Sequence, residues 1–209
     1  MSLTDLPYPV DFLSEVLPER IVQIHHDNHH KGYLTKLNEF IDKNMKYNAT
    51  YLKDLVKGAW GHVGLERYAG GLYNHYLYWW TLTASNCTNG APIGKLLTDI
   101  ISKWGTFEVF QSRFDDLAKV TFGNGWTWLC VDKTGLQLLN SYYQLSPLMN
   151  TGDNICYPVL GIDLWEHSYY LKYTSDRDAY ISDFWKIVDW DIVEYFYEKY
   201  ASELTAVPF

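Results

Sequence analysis

The sequence predicts an α+β protein, in which a helical N-terminal domain precedes a domain that combines helices with a small antiparallel sheet. Apolar residues recur at helical spacing through the first half of the chain, whereas the second half also contains strand-like runs on either side of a turn-forming tetrapeptide. Of the 209 residues, 47% are hydrophobic, which is enough for a buried core. Disordered and fibrous architectures are therefore excluded.

The first half of the chain is predicted to be helical. The predicted helices cover residues 19–42, 51–60 and 68–84. Asn, Gly, Thr and Pro then cluster over residues 85–94, which indicates a linker. We therefore expect an N-terminal α-helical domain over residues 1–88 and a C-terminal α+β domain over residues 89–209.

The second half is predicted to begin with helices and then to change to strands. Strand-like runs at residues 126–131 and 136–143 flank Asp132-Lys133-Thr134-Gly135, which predicts a β-hairpin. The other predicted elements are one or two helices over residues 93–103 and 106–121, a third strand over residues 159–165 and a helical tail over residues 178–203.

The charge of the chain limits its partners. It has 17 basic and 25 acidic residues, a net charge of −8, and no run of five or more Lys or Arg, which argues against a nucleic-acid or anionic-membrane partner. Residues 68–94 contain no Asp, Glu, Lys or Arg, but Gly, Asn, His and Thr interrupt this stretch. It therefore suits a buried helix better than a membrane span.

The cysteines and the first residues predict a cytoplasmic location. Cys87, Cys130 and Cys156 are too few and too scattered for a disulfide framework and lack Cys-x-x-Cys spacing, so we expect them to be reduced. The first residues show neither the basic start nor the apolar run of a secretory signal.

A polar row in the first predicted helix indicates a site. His25, His29 and Tyr33 are four residues apart, so they share one face, which continues an apolar stripe towards the interior. A buried imidazole needs a partner, and although any one of these residues alone could be a satisfied core side chain, three in a row rarely arise for packing. We expect His26 and His30, a quarter-turn away, to be solvated or to bond locally.

Two further clusters point to the same kind of site. His75 lies one turn after Gly71 and one turn before Trp79, and the glycine leaves a hole beside the imidazole, although a helix entry would also explain it. In the third predicted strand, Asp163 and Trp165 face one side. Because its neighbours are apolar, a buried Asp163 carboxylate needs a neutralising cation, most simply a metal ion.

Three imidazoles and one carboxylate form a ligand set that suits Mn or Fe, and also Zn or Co. This set excludes a cysteine-rich structural zinc site and an all-oxygen calcium site. Trp79, Trp126 and Trp165 would form a stiff wall around such an ion, although each tryptophan alone is more often part of a core.

These motifs closely resemble those of the iron/manganese superoxide dismutase family, and the resemblance covers nearly the whole chain. The matching segments, in the family's order and spacing, are Leu6-Pro7-Tyr8, HHDNHHKGY at residues 25–33, NHYLYW at 74–79, FGNGWTW at 122–128 and DLWEHSYY at 163–170. The resemblance implies an N-terminal helical hairpin domain followed by an α+β domain with a three-stranded antiparallel sheet. It implies one Mn or Fe ion per subunit, bound by His25, His75, Asp163 and His167.

The resemblance also implies an activity and an assembly. The metal would alternate between two oxidation states, oxidising one superoxide to dioxygen and reducing the next to hydrogen peroxide. Tyr33 and His29 would line the substrate gateway, and Tyr169 would support His29 from the neighbouring subunit. Glu166 would reach the metal-ligating His167 of the other subunit in a homodimer, a contact that a homotetramer would share.

Family patterns bear on the choice of metal. Gly71 together with Gln144 is typical of manganese-type members, in which the glutamine fills the hole beside the glycine and donates to metal-bound solvent. Gly161 and Leu77 also look manganese-like, whereas Tyr78 looks iron-like. We therefore favour Mn, with activity on both metals possible.

The chain departs from the family pattern near the gateway. Tyr76 replaces the usual small Ser or Thr, and Asn28 replaces a frequent Lys. Loss of that basic residue would weaken the attraction of an anion to an acidic protein, and Lys31, Lys172 and Arg177 are the candidates to offset it.

Two other functions compete with a dismutase. A non-catalytic structural or assembly module on the same fold would not need to keep the ligands, Tyr33, His29 and Gln144, which are all present. A mononuclear hydrolase or oxygenase would need a general base or an open cis pair of coordination positions. Glu166 is the one extra carboxylate in the motif, and the resemblance assigns it to the interface.

Overall fold

The computed structural model describes residues 1–47, 51–149 and 155–209. Two long helical stretches, which pack against each other, form its N-terminal part. The first stretch consists of α1 (Glu19–Ile24), a π-helical segment (His25–His30) and α2 (Lys31–Lys43). A short helix, α3 (Leu52–Lys57), precedes the second stretch, α4 (Val63–Trp80). As predicted, the charge-free part of α4 is a buried helix.

The C-terminal part surrounds a three-stranded sheet with helices. Its helices are α5 (Lys95–Trp104), α6 (Phe107–Val120), α7 (Tyr170–Tyr173), α8 (Arg177–Phe184) and α9 (Trp190–Lys199). The strands are β1 (Gly125–Asp132), β2 (Gly135–Tyr142) and β3 (Tyr157–Asp163). The predicted fold class is therefore confirmed.

The sheet has the order β2-β1-β3, and both pairs of neighbouring strands are antiparallel. The predicted hairpin closes between Asp132 and Gly135, whose positive φ of 104° favours glycine. The central strand β1 is buried along nearly its whole length, as its apolar composition requires. Its register with β3 places Trp126 opposite Asp163, so that a tryptophan and a carboxylate meet at the end of the sheet.

The third strand, Tyr157–Asp163, begins and ends two residues earlier than predicted. It ends at Asp163, and the chain turns there, because the backbone N–H of Trp165 donates to Asp163 Oδ1 at 2.9 Å. The prediction that Asp163 and Trp165 lie on one face of a strand was therefore wrong. A 3₁₀ turn, Glu166–Ser168, follows and carries His167.

The first helix also differs from its prediction. It runs through residues 19–43, but its middle, His25–His30, is π-helical, a form that often marks functional sites. His26 and His30 are both buried rather than solvated. His26 bonds locally through Nδ1 to Asp27 Oδ1 at 2.8 Å, and His30 Nε2 lies 3.2 Å from the carbonyl oxygen of Leu72.

The cysteine prediction was wrong for two of the three residues. Cys130 on β1 and Cys156 just before β3 form a disulfide, whereas Cys87 is free and exposed. The antiparallel pairing of β1 with β3 brings their Cα atoms to 5.6 Å, within the range of disulfides, although 26 positions separate them in the sequence. The pairing removes the cysteine argument for a cytoplasmic location.

Two hydrophobic clusters form the core. The larger one joins the sheet and the C-terminal helices to residues of the N-terminal part, including Leu77, Tyr78 and Trp79 of α4. The smaller one lies mainly among α2, α3 and α4 and also takes in Leu148 and Met149. Across the described ranges, every helix is too short or too polar to cross a membrane.

Candidate metal centre

Four side chains from both halves of the chain converge at one buried point. His25 comes from the π-helical segment, His75 from α4, Asp163 from the end of β3 and His167 from the 3₁₀ turn that follows. Each offers one ligand atom, and these atoms all lie within 4.8 Å of one another. The structure thus brings together the four residues that the resemblance implied as ligands.

The carboxylate of Asp163 lies among the three imidazoles. Its Oδ2 is 3.1 Å from His25 Nε2, 3.4 Å from His167 Nε2 and 3.6 Å from His75 Nε2. Among the described residues, none of these four atoms has a hydrogen-bond partner with good geometry. Buried polar atoms without partners are unfavourable, and a cation bound between them would satisfy all four.

His25, His75 and Asp163 have the protonation states that a metal ion requires. Burial lowers the pKa of His25 to about 4 and holds the pKa of His75 well below its usual value, so both imidazoles are neutral at pH 7. Burial on its own would raise the pKa of Asp163, but neighbouring His167 and His25 hold it well below its usual value. The site therefore presents imidazole lone pairs and a carboxylate without prior loss of protons.

Hydrogen bonds and aromatic rings fix the ligand side chains. His75 Nδ1 lies 2.7 Å from the carbonyl oxygen of Gly71 and donates to it, which leaves the Nε2 lone pair facing the cluster. Tryptophan rings pack against the three imidazoles, with ring-centre distances of 4.8 Å for Trp79 and His25, 5.3 Å for Trp126 and His75, and 5.5 Å for Trp165 and His167.

Gln144 links Trp126 to Tyr33 beside the cluster through two hydrogen bonds. Gln144 Nε2 donates to the Tyr33 hydroxyl oxygen at 3.0 Å, and Gln144 Oε1 accepts from Trp126 Nε1 at 3.2 Å. The expectation that Gln144 fills the hole beside Gly71 was wrong. A Cβ at Gly71 would meet the Tyr33 ring at 2.6 Å, so the tyrosine fills the hole and the glutamine reaches the tyrosine hydroxyl.

Tyr33 and His29 line one cavity of about 560 Å³. Burial and the charge of Asp163 raise the pKa of Tyr33 to about 12, against the opposing effects of Gln144 and Arg67, so its hydroxyl keeps its proton at neutral pH. Burial is the main cause that lowers the pKa of His29 to about 4, and the neighbouring His167 contributes to this shift. The His29 ring stacks on His167 with a ring-centre distance of 3.9 Å.

The two residues expected at a subunit interface differ in exposure. Glu166 is exposed, immediately before His167, and its carboxylate forms no ion pair within the described part of the chain. Tyr169 is only 6% exposed, and its ring stacks on Tyr180.

The cations around the cavity differ from those expected. Lys31 lines it, but Lys172 donates to the backbone carbonyl of Glu15, and Arg177 donates to the carbonyl of Thr121 at 2.7 Å. These two bonds hold both side chains away from the cavity lining.

Arg67 is the residue that the sequence analysis missed. It lines the cavity of Tyr33 and His29 and also a second cavity, of about 430 Å³, lined by Gln144. Arg67 is exposed and pairs with no carboxylate of the described residues. Its position one helical turn before Gly71 could have revealed it, because residues four apart share a helix face.

Comparisons with known proteins agree with this geometry. The chain matches the family described as "Iron/manganese superoxide dismutases, alpha-hairpin domain" over residues 1–83 and the one described as "Iron/manganese superoxide dismutases, C-terminal domain" over residues 92–196. It is 36% identical over 200 residues to "Superoxide dismutase [Mn]" of Listeria ivanovii, an alignment that covers 91% of this chain and 94% of that protein.

Two further relatives show the same range of similarity. The chain is 37% identical over 197 residues to "Superoxide dismutase [Mn]" of Listeria monocytogenes, with 91% of this chain and 94% of that protein covered. It is 34% identical over 202 residues to "Superoxide dismutase [Mn/Fe] 2" of Staphylococcus aureus, with 94% and 97% covered. None of these findings supports the alternative of a non-catalytic module. Together, the motifs, the converging side chains and these matches establish that the chain belongs to the iron/manganese superoxide dismutase family.

Proposed function

We propose that this enzyme converts two superoxide ions and two protons to dioxygen and hydrogen peroxide at one Mn or Fe ion held by His25, His75, Asp163 and His167. The observation that carries the proposal is the convergence of four buried donor atoms within 4.8 Å of one another, of which those of His25, His75 and Asp163 are in the protonation state that a metal requires. When bound, the ion supplies the one-electron couple that oxidises one superoxide and reduces the next.

The side chains beside the ion supply the protons and limit access. Tyr33 holds a proton at its hydroxyl, because its pKa is about 12, and Gln144 Nε2 orients that hydroxyl at 3.0 Å. Tyr33 can therefore donate towards the oxygen that is reduced, and solvent in the cavity that it shares with His29 can return the proton. The buried Trp79 and Trp126 pack against His25 and His75 and limit the access of water to these ligands.

The experiment that tests the proposal combines metal analysis with a superoxide assay. We expect about one metal ion per chain and rapid consumption of superoxide, and we expect His75→Gln to lose both. His62→Gln is the matched control, because His62 is exposed at the start of α4 and lies outside the cluster. A stoichiometric metal without superoxide consumption would favour the non-catalytic module instead.

We also propose that manganese is the more active metal. Gly71 and Gln144 are the pair that is typical of manganese-type members. Here Gln144, from the second half of the chain, donates to the Tyr33 hydroxyl, and the Tyr33 ring packs against Gly71 in α4. The Listeria relatives carry [Mn] in their names and the Staphylococcus relative carries [Mn/Fe]. Metal-free protein reconstituted with Mn should show higher specific activity than the same protein reconstituted with Fe, and the reverse order would contradict the assignment.

A homodimer is the proposed assembly. The exposed carboxylate of Glu166, next to His167, supports a dimer. In a dimer this carboxylate would accept a hydrogen bond from the partner subunit's His167. Glu166→Gln should shift the species seen in sedimentation towards the monomer at low protein concentration, while Glu203→Gln, an exposed glutamate in the C-terminal tail, should not. Equal sedimentation of the two variants would contradict the contact.

The proposed domain boundary lies between residues 88 and 89. Its support is the connection between the end of α4 at Trp80 and the start of α5 at Lys95. Because the larger hydrophobic cluster contains residues from both sides, we expect a chain cleaved in this connection to remain associated. Size-exclusion chromatography of nicked protein tests this, and separation of the two fragments without denaturant would contradict it.

A further inference from the structure

Residues 144–149, which we call the strap, pass from the sheet into the N-terminal part of the molecule. Leu148 and Met149 are buried in the hydrophobic cluster of α2, α3 and α4. The backbone carbonyl of Gln144 and the terminal methyl of Met149 lie where a Cβ on Gly70 would be, so the strap packs directly on α4. A segment of the second half of the chain thus completes the core of the first half.

Hydrogen bonds hold the beginning of the strap. Asn74 Nδ2 donates to the carbonyl of Gln144 at 3.2 Å, and Ser141 Oγ donates to the carbonyl of Leu145 at 2.6 Å. These bonds tie the first two residues of the strap both to α4 and to the end of β2. They do not involve either of the paired cysteines.

The far part of the strap is held through Cys156. The backbone N–H of Cys156 donates to the carbonyl of Pro147 at 3.0 Å, and the Cys156 sulfur is bonded to Cys130 on the central strand β1. The disulfide therefore fixes the residue that anchors Pro147, and with it the segment that carries Leu148 and Met149. Both cysteines are buried, at 0% and 4% exposure.

We propose that Cys130 and Cys156 form a redox modification site whose disulfide locks the strap between the two parts of the molecule. The lock is opened by dithiols. A dithiol reduces the S–S bond, each cysteine sulfur gains one hydrogen, and the dithiol becomes a disulfide. The cross-link closes a long loop and so restricts the open and unfolded states, which gives the oxidised form its greater stability. The proposal does not depend on the dismutase activity.

The first measurement counts thiols in the purified, denatured chain by alkylation and mass spectrometry. Without reductant we expect one alkylated cysteine, Cys87, and after dithiothreitol we expect three. Three reactive thiols in protein purified in air without reductant would overturn the proposal.

The second measurement compares the oxidised and the reduced wild-type protein. Reduction should lower the Tm by about 5–15 °C. It should also raise hydrogen exchange at the amides of Leu145, Ser146, Leu148 and Met149 several-fold more than at those of α5, which lies away from the strap. An unchanged Tm, or equal changes in the strap and in α5, would overturn the lock.

Two variants distinguish the effect of the Cys130–Cys156 pair on the Tm from any effect of Cys87. Cys156→Ser should have the Tm of the reduced wild type and should not respond further to dithiothreitol. Cys87→Ser is the matched control and should respond as the wild type does, because Cys87 is exposed and unpaired. If Cys156→Ser does not fold, chemical reduction of the Cys87→Ser variant provides the same comparison, and a Tm that does not move on reduction would refute the proposal.

Discussion

Tyr33 lies between the metal cluster and the cavity that it lines, with its ring centre 5.2 Å from that of His75. Its hydroxyl oxygen accepts a hydrogen bond from Gln144 Nε2. Because the pKa of Tyr33 is about 12, the hydroxyl keeps its proton at neutral pH. In Tyr33→Phe the four converging ligands are untouched, so we expect full metal content. Proton delivery should fall, and the rate under saturating superoxide should drop about 100-fold, the low end for general acids because water can enter the cavity. Pulse radiolysis with metal analysis measures both, and loss of the metal would show that the residue is structural.

Arg67 provides the clearest electrostatic prediction. Arg67 is an exposed cation that lines both cavities and forms no ion pair with any described residue, whereas Lys36, at the rim of one cavity, is paired with Glu39 at 2.8 Å. Arg67→Gln should lower the superoxide rate at low ionic strength by about 2- to 10-fold and weaken its dependence on salt. Lys36→Gln is the control and should change little. For the wild type we expect a rate that falls as salt is added, and a rate that rises would contradict attraction at this rim.

Buried histidines predict how the metal-free protein responds to acid. Burial lowers the pKa of His25 to about 4 and that of His30 to about 3, whereas both have ordinary values near 6.5 in the unfolded chain. At pH values between the folded and unfolded pKa, the unfolded chain binds more protons than the folded one. The contribution of these histidines to the free energy of unfolding is therefore complete above pH 6.5 and is lost as the pH falls towards 4. We expect the Tm of the metal-free protein to decrease steadily from pH 7 to pH 4.5. A constant Tm over that range would contradict neutral, buried imidazoles.

At the scale of the elements, the packing of α2 against α4 depends on a missing side chain. A Cβ on Gly71 would lie 2.6 Å from the Tyr33 ring, whereas a Cβ on Gly32 in α2 would meet nothing within 4 Å. Gly71→Ala should therefore destabilise the protein by about 1–3 kcal/mol. Gly32→Ala should stabilise it by about 0.5–1 kcal/mol, because alanine favours helix. Urea unfolding measures both, and equal effects would contradict the close contact.

Most elements could be predicted from the sequence because their periodicity is strong, but their irregular parts could not. A spacing of four residues between His25, His29 and Tyr33 fits an α-helix, and nothing in it reveals the π-helical segment. The end of β3 at Asp163 depends on the hydrogen bond from Trp165, which apolar composition does not predict. The disulfide depends on the pairing of β1 with β3, which cysteine spacing alone cannot show.

At the scale of the whole molecule, the cluster joins distant parts of the chain. His25 and His75 belong to the first half, and Asp163 and His167 to the second. Metal binding should therefore stabilise the association of the two halves, because the ion binds only where all four side chains have converged. Removal of the metal with a chelator should lower the Tm, and added Mn should restore it. A Tm that is independent of metal would contradict this coupling.

The four converging residues could be named from the sequence because the motifs resemble those of the family, while the residues by themselves indicated only that buried imidazoles and a buried carboxylate need a cation as partner. The motifs could not predict how surrounding side chains fill space. Tyr33 rather than Gln144 occupies the hole beside Gly71, and Arg67 rather than Lys172 or Arg177 lies at the cavity rim. Such contacts depend on the relative placement of α2, α4 and the strap, which local patterns do not encode.

The distribution of the ligands along the chain also has a temporal consequence. A growing polypeptide holds two of the four ligands until residue 163 has been added, and the set is complete only when residue 167 follows. The complete ligand set therefore cannot meet a metal ion during synthesis until residues of both halves of the chain have left the ribosome, so the metals that the cell supplies at that stage compete for it.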